Sequence, residues 1–240
     1  MKTKQLAAKR PDGHASSKPR HTAHQIESPV SRGRSPARPF FIVDLEATCW
    51  DDRICRSVDD MEIIEIGCVL VTQKGAILDE YSTFVRPKDE PILSEYCTNL
   101  TGIRQKDVDR APTYVEAMRQ LDQWMGGRLG IWGSWGNFDH RLFASMEQRH
   151  PTNSQFLSMA HVNLKRPWKQ TNGTRRTALR AALAHHQLSF VGTPHRGIDD
   201  ARNIARLMPF IDHHRLLASV GALGVITKND SGSGVGGPKS

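Results

Sequence analysis

Phe40-Phe41-Ile42-Val43-Asp44-Leu45-Glu46 decides how this chain is read. Two aromatic and two β-branched residues in a row make a short apolar run of the kind that fills a strand covered on both faces. Asp44 and Glu46 then close it. Side chains alternate along a strand, so both acids point the same way, with Cα atoms about 6.6 Å apart. Two acids aimed at one spot repel and desolvate each other unless a cation lies between them.

Two more acids interrupt apolar patterns downstream. In Phe138-Asp139-His140-Arg141-Leu142-Phe143-Ala144-Ser145-Met146, helical spacing sets Asp139 over Leu142, Phe143 and Met146, which is the apolar stripe. An aspartate there is costly unless it is paired, hydrogen-bonded or on a metal. From Asp199 to Met208 the inward face is Ala201, Ile204, Ala205 and Met208, and Asp200 borders it. Each acid alone has an ordinary reading, as a turn residue or a first-turn acid favoured by the helix dipole. That reading must hold separately on three elements to explain all of them. Asp51, Asp52, Asp59 and Asp60, in a polar stretch without periodicity, read as solvated loop charges.

These are also the residues that carry a family likeness. Asp44-Leu45-Glu46-Ala47-Thr48-Cys49 resembles the first motif of the DEDDh superfamily of 3′-to-5′ exonucleases, and within it the exoribonucleases of the enhanced-RNAi type and their bacterial relatives. Gly133-Ser134-Trp135-Gly136-Asn137-Phe138-Asp139 resembles the second motif, and His195 to Ala205, with its His-x4-Asp spacing, the third. Leu100-Thr101-Gly102-Ile103 and Asn163-Leu164-Lys165 match in place and order, so the likeness covers roughly residues 38–212. Asn137-Phe138 departs from the family, which tends to carry another small residue and a tryptophan there. The resemblance implies a ribonuclease-H-like exonuclease fold, α/β with a mixed central sheet flanked by helices. It implies that Asp44, Glu46, Asp139 and Asp200 hold two divalent cations, and that His195 is the general base, with Glu46 also at the reacting centre. It further implies nucleotide contacts at Glu46, Ala47 and His195. Thr48, Leu100, Thr101 and Phe138 are candidate contacts to the terminal nucleotide, Phe138 by stacking.

The chemistry asks for such a set on its own terms. Two cations about 3.5–4 Å apart clamp a scissile phosphate between attacking water and leaving oxygen. Oxygen-only ligands favour Mg²⁺ or Mn²⁺ over zinc. A histidine titrating near neutrality suits the proton acceptor. His195 lies between Gly192-Thr193-Pro194 and Gly197, so the sequence predicts a flexible turn leading into the last helix, able to swing in with substrate.

Residues 1–38 hold nine Lys or Arg against Asp12 and Glu27, so +7 of the chain's net +8 lies in this segment. Without an apolar stretch it reads as a disordered basic arm able to hold phosphate backbones; a merely solvated tail and an organelle transit peptide are the competing readings of its composition. Residues 39–215 are the expected exonuclease domain and 216–240 a flexible tail ending in Gly and Ser. No span approaches about 20 apolar residues and no secretory core is visible, which predicts a cytoplasmic protein that does not enter membranes. Cys49, Cys55, Cys68 and Cys97 offer no C-x2-C pair and read as reduced thiols, Cys68 in the core.

Along the chain, 40–46 is a strand, 50–60 a loop, 62–71 a long strand, Gln73-Lys74-Gly75 a turn, and 77–85 its hairpin partner. Thr113, with Glu116 completing a capping box, starts a helix through Met118, Leu121 and Met125 that Gly126-Gly127 ends. Then come a strand at 129–132, the Asp139 helix, a strand near 161–164, a helix from about Thr174 to His185, and the Asp200 helix. The acids are expected at one edge of the sheet. Lys165, Arg166, Lys169, Arg175, Arg176 and Arg180 form a second basic cluster that would line the path of a nucleic-acid strand. The leading expectation is a metal-dependent exonuclease releasing 5′-mononucleotides from a single-stranded 3′ end, RNA before DNA. DNA 3′-end trimming, and a nucleic-acid-binding adaptor on the same fold, are the competing readings. Oligomeric state is left open.

Overall fold

The computed structural model describes residues 39–51 and 56–218. The expectations for the arm 1–38, for Asp52 and Cys55, and for tail residues 219–240 lie outside those residues. Strands β1 (Phe40–Ala47), β2 (Ile63–Val71) and β3 (Ile77–Phe84) form an antiparallel meander; β4 (Ile131–Ser134) and β5 (Ala160–Asn163) add on parallel to β1. The order across the sheet is β3-β2-β1-β4-β5. Strand β1 is therefore the middle strand. The expectation that the acids gather at an edge is corrected: Asp44 and Glu46 sit near the C-terminal end of the central strand, where helices pack on both faces.

The alternation of β1 sorts the core into two layers. Phe41, Val43 and Leu45 pack on α3 (Tyr114–Met125) and α4 (Phe138–Arg149), through Met118, Leu121, Leu142 and Phe143. Phe40 and Ile42 face the other way, onto Ala201, Ile204 and Ala205 of α7 (Gly197–Ala205). Asp44 and Glu46 continue this second row, so the α7 side of the sheet turns from apolar to acidic along one strand. All nine residues of β2 are buried, which explains its near-continuous apolar sequence. At the β2–β3 turn Gly75 has φ +78°, and a Cβ there would meet the Ala205 carbonyl oxygen at 2.1 Å.

Helix α3 begins at the expected Thr113 capping box and ends at Gly126, which has φ +58°. Other boundaries moved. Strand β4 lies at 131–134, two residues later than expected, starting where the Ile131 amide bonds the Pro39 carbonyl at 3.1 Å. The helix expected from Thr174 begins only at Leu179, as α6 (Leu179–His185). Residues before it are held open: the indole of Trp135 donates to the Thr177 carbonyl at 2.8 Å, and the Arg176 amide donates to the Thr174 hydroxyl at 3.2 Å.

Three short helices were not anticipated: α1 (Glu95–Thr101), α2 (Gln105–Val108) and α5 (Lys165–Asn172). Helix α5 buries only Pro167 and Trp168, too few apolar residues to show a stripe, and its proline sits in the first turn where no amide bond is lost. The packed body reaches Leu216, which is buried, one residue past the expected boundary. Cys49, Cys68 and Cys97 are free, and Cys68 is in the core. Among the described residues, no helix is long and apolar enough to cross a membrane.

Candidate metal centre

The sheet and two helices bring the acids together. Carboxylate oxygens of Asp44, Glu46 and Asp200 lie within 4.8 Å of one another. Asp139, in the first turn of α4, is buried beside them and accepts the Leu45 amide at 3.1 Å, which ties α4 to β1 across the site. Asp200, in the first turn of α7, accepts the backbone amide of His195 at 2.8 Å. All five residues, Asp44, Glu46, Asp139, His195 and Asp200, line one cavity of about 280 Å³, together with Leu45, Trp135, Phe138 and Leu179.

Like charges in a dry site raise one another's proton affinity. Burial, followed by the charges of Asp139, Asp200, Glu46 and Glu65, holds the Asp44 carboxyl well above the usual carboxylate range. Glu46 is pushed up to about 8 by burial and then by Asp200, Glu65 and Asp139. Asp139 and Asp200 rise to about 6, burial again leading; hydrogen bonds from the Leu45 amide and the Ser134 hydroxyl, with the charge of Lys165, hold Asp139 down, and the His195 amide does the same for Asp200. No Lys or Arg among the described residues forms an ion pair with any of the four acids. Such a set fits hard divalent cations, whose charge replaces the missing counter-ions.

A second acidic cluster behaves differently. Glu62, Asp89 and His150 also approach one another. Yet the buried Glu62 carboxylate already accepts the amides of Lys88, Asp89 and Glu90 at 2.6, 3.0 and 2.8 Å, and Asp89 is paired with Arg149 and His150. Its lone pairs are spent pinning a loop.

The other sequence candidates are more dispersed. Phe138 opens its ring to the cavity and is 38% exposed. Ala47 and Thr48 are buried, and neither lines the cavity; Thr48 bonds both the amide and the carbonyl of Glu62. Thr101 is buried in α1 with its hydroxyl donating to the Cys97 carbonyl and accepting the Ile103 amide. Leu100 is exposed, and the cavity does not include it. Trp135 and Leu179 were missed as lining residues. Trp135 lies inside the second motif but carries no charge that marks it, and Leu179 gives no signal because it reaches the site only through the late start of α6. The His195 turn is where the sequence placed it, but it is anchored rather than free: His195 has φ +60°, Thr193 and His195 amides bond Asp199 and Asp200, and Arg196 and Gly197 are tied to Glu65.

A family profile described as Exonuclease matches residues 41–208. The chain is similar to the 3′-5′ exonuclease eri1 of Schizosaccharomyces pombe, 29% identical over 214 residues that span 77% of this chain and 71% of that one. It is 30% identical over 234 residues to ERI1 exoribonuclease 2 of Xenopus laevis; the match takes in 86% of this chain but only 33% of that longer protein. Among solved structures, the nuclease domain of 3′hExo, a DEDDh family member bound to rAMP, superposes with a TM-score of 0.64 at 28% identity, covering 78% of this chain and 95% of that domain.

Proposed function

This chain belongs to the exonuclease family, and from that membership we propose that it is a metal-dependent 3′-to-5′ exonuclease releasing 5′-mononucleotides from the free 3′ end of single-stranded RNA. One observation carries the reading. Three carboxylates converge within 4.8 Å at the end of the central strand, a fourth lies against them, and a histidine shares their cavity. Asp44, Glu46, Asp139 and Asp200 would hold the cations, with Mg²⁺ or Mn²⁺ suited to an all-oxygen donor set. Bound there, a divalent pair supplies an acidified water and screens the phosphate's charge.

The chain's own residues supply the rest. His195, which lines the same cavity as the four acids, accepts the proton of the attacking water. Phe138 offers an aromatic face to the terminal base, and Leu100 an exposed apolar contact outside the cavity. Ala47 and Thr48, buried outside the cavity, would act on the terminal nucleotide only indirectly, by holding the end of β1 beside Glu46 through the bonds of Thr48 to Glu62. Thr101 acts indirectly, by shaping α1. Lys165, whose charge reaches Asp139, begins the basic cluster on and after α5 that would guide the incoming strand. The basic arm 1–38 would add non-specific hold on phosphates. RNA is favoured over DNA because relatives are named exoribonucleases and the 3′hExo domain was solved with a ribonucleotide. A cytoplasmic site of action suits an RNA substrate and reduced cysteines.

The deciding experiment uses two RNAs, one labelled at the 3′ end and one at the 5′ end, with and without EDTA. Immediate release of labelled mononucleotide from the 3′-labelled strand, abolished by EDTA, is expected. Release of label first from the 5′ end, or undiminished turnover in EDTA, rejects the proposal, and a parallel DNA oligomer reads the sugar preference.

A further inference from the structure

Strand β2 carries one acid that the metal centre does not use. Glu65 is fully buried and stands directly opposite Glu46 in the β1–β2 register. Like charges placed so are unfavourable, and its charge indeed contributes to raising both Asp44 and Glu46. A residue that burdens the centre in this way needs a compensating role. Its carboxylate accepts Arg196 Nε and Nη2 at 3.1 and 3.0 Å and the Gly197 amide at 3.1 Å. All three donors follow His195 immediately in the chain. The Arg196 guanidinium also lies over the ring of Phe84, 5.1 Å from its centroid.

His195 itself is in the left-handed region, unusual for a residue with a Cβ, and persists there only if its surroundings impose it. On its N-terminal side the constraint is the bond from its amide to Asp200. On its C-terminal side it is the Glu65 clamp. The first turn of α7 is also pressed onto the sheet: a Cβ on Gly67 would fall 2.1 Å from the Gly197 carbonyl carbon, and one on Gly197 would fall 2.8 Å from the Asp44 carbonyl oxygen. The backbone of the acid-bearing strands thus sets the height of the histidine's turn.

We infer that Glu65 and Arg196 form a positioning pair that fixes the His195 turn over the metal centre, so that the general base is aimed by a half-buried ion pair joining β2 to the start of α7. This rests on the exonuclease reading given above. It is separable from a purely structural ion pair, because a clamp acting through His195 has no effect on turnover once His195 is gone.

The test is a cycle of Arg196→Met, His195→Ala and the double variant in the full chain, assayed on single-stranded RNA with divalent metal. Methionine keeps an apolar stem over Phe84 while removing the guanidinium. Arg196→Met is expected to lower kcat about ten- to a hundredfold, the usual cost of losing an orienting partner, with KM nearly unchanged. In the His195→Ala background the same change should lower kcat less than about threefold. Amide exchange in metal-free protein gives an independent readout: the His195 and Gly197 amides should exchange at least about tenfold faster in Arg196→Met while core amides of β2 stay protected. Glu65→Gln, which keeps the shape of the side chain, should reproduce both effects if Arg196→Met folds poorly. Equal loss of kcat from Arg196→Met in both backgrounds, or unchanged exchange at His195, overturns the clamp. Full activity of His195→Ala alone would instead remove the base assignment under "Proposed function".

Discussion

Metal-free protein should become more stable when Glu46 is replaced by glutamine, and the gain should grow with pH. The carboxyl rises from 4.5 to about 8 on folding, driven first by burial. A raised folded value means that between those two pH values the folded chain binds more protons than the unfolded chain, so stability falls as pH rises through the window. At 1.36 kcal/mol per pH unit, the charge carried by Glu46 costs about 4 kcal/mol at pH 8 and under about half a kcal/mol at pH 4.5. Glutamine has the same shape and no charge. Its advantage at pH 8 is therefore bounded by that figure, and water entering the cavity lowers it. Asp139 and Asp200, which rise to about 6, act in the same direction over a lower window.

Urea unfolding in EDTA at pH 4.5, 6 and 8 measures the effect. With a slope of about 2 kcal/mol/M, 4 kcal/mol moves the midpoint by about 2 M. Wild type should lose midpoint steadily across the series while Glu46→Gln loses less. Saturating Mg²⁺ or Mn²⁺ should then reverse the order, because two cations, each at about a hundred times its dissociation constant, together add about 5.4 kcal/mol to the chain that binds them, more than the roughly 4 kcal/mol at stake. A Glu46→Gln protein that is less stable than wild type at pH 8 in EDTA would refute the idea of acids gathered against their own repulsion.

Asp200→Ala should abolish metal-dependent release of mononucleotides while the circular dichroism spectrum stays native; retained turnover would place the reaction elsewhere. Phe138→Ala should weaken binding of the RNA 3′ end by about 1–3 kcal/mol, a five- to 150-fold change in titrations of the Asp200→Ala protein carrying it, and an unchanged affinity would return Phe138 to packing. Glu62→Ala should lower unfolding free energy by about 3 kcal/mol, since three loop amides lose their acceptor, yet leave turnover per folded molecule intact. A metal-dependent loss of activity in Glu62→Ala would instead make that cluster a second ion site.

Much of the site was legible because burial and charge conflict visibly in a sequence. Asp44 and Glu46 end an apolar run, Asp139 interrupts a stripe and Asp200 borders one; the structure buries or half-buries each and turns their oxygens into one cavity. The meander was legible too, since β2 is apolar but for Glu65 and Gly67, and Gln73-Lys74-Gly75 marks its turn into β3. Geometry that depends on long-range closure was not. Nothing in Thr174–Ala178 announces that an indole from residue 135 will claim the Thr177 carbonyl and delay α6. Nor does Leu100-Thr101-Gly102 reveal that the threonine hydroxyl is spent inside its own helix while the leucine stays out.

Glu65 marks the boundary between these cases. It is an acid amid Ile63-Ile64 and Ile66, as conspicuous as Asp139, and the test that singled out the other acids applies to it unchanged. What the sequence does not carry is the sign of its answer. An inward acid is compensated either by a cation from solution or by a cation from the chain, and Arg196 is 131 residues away in sequence. Only the fold distinguishes them: the antiparallel register of β1 and β2 sets Glu65 opposite Glu46, and the glycines at 67 and 197 let α7 descend until Arg196 reaches it. Two acids side by side on one sheet thus end with opposite fates, Glu46 left without a protein counter-ion and Glu65 neutralised. That division is what a cation site beside an oriented histidine requires, because a guanidinium shared with Glu46 would compete for the very ligand the cation needs.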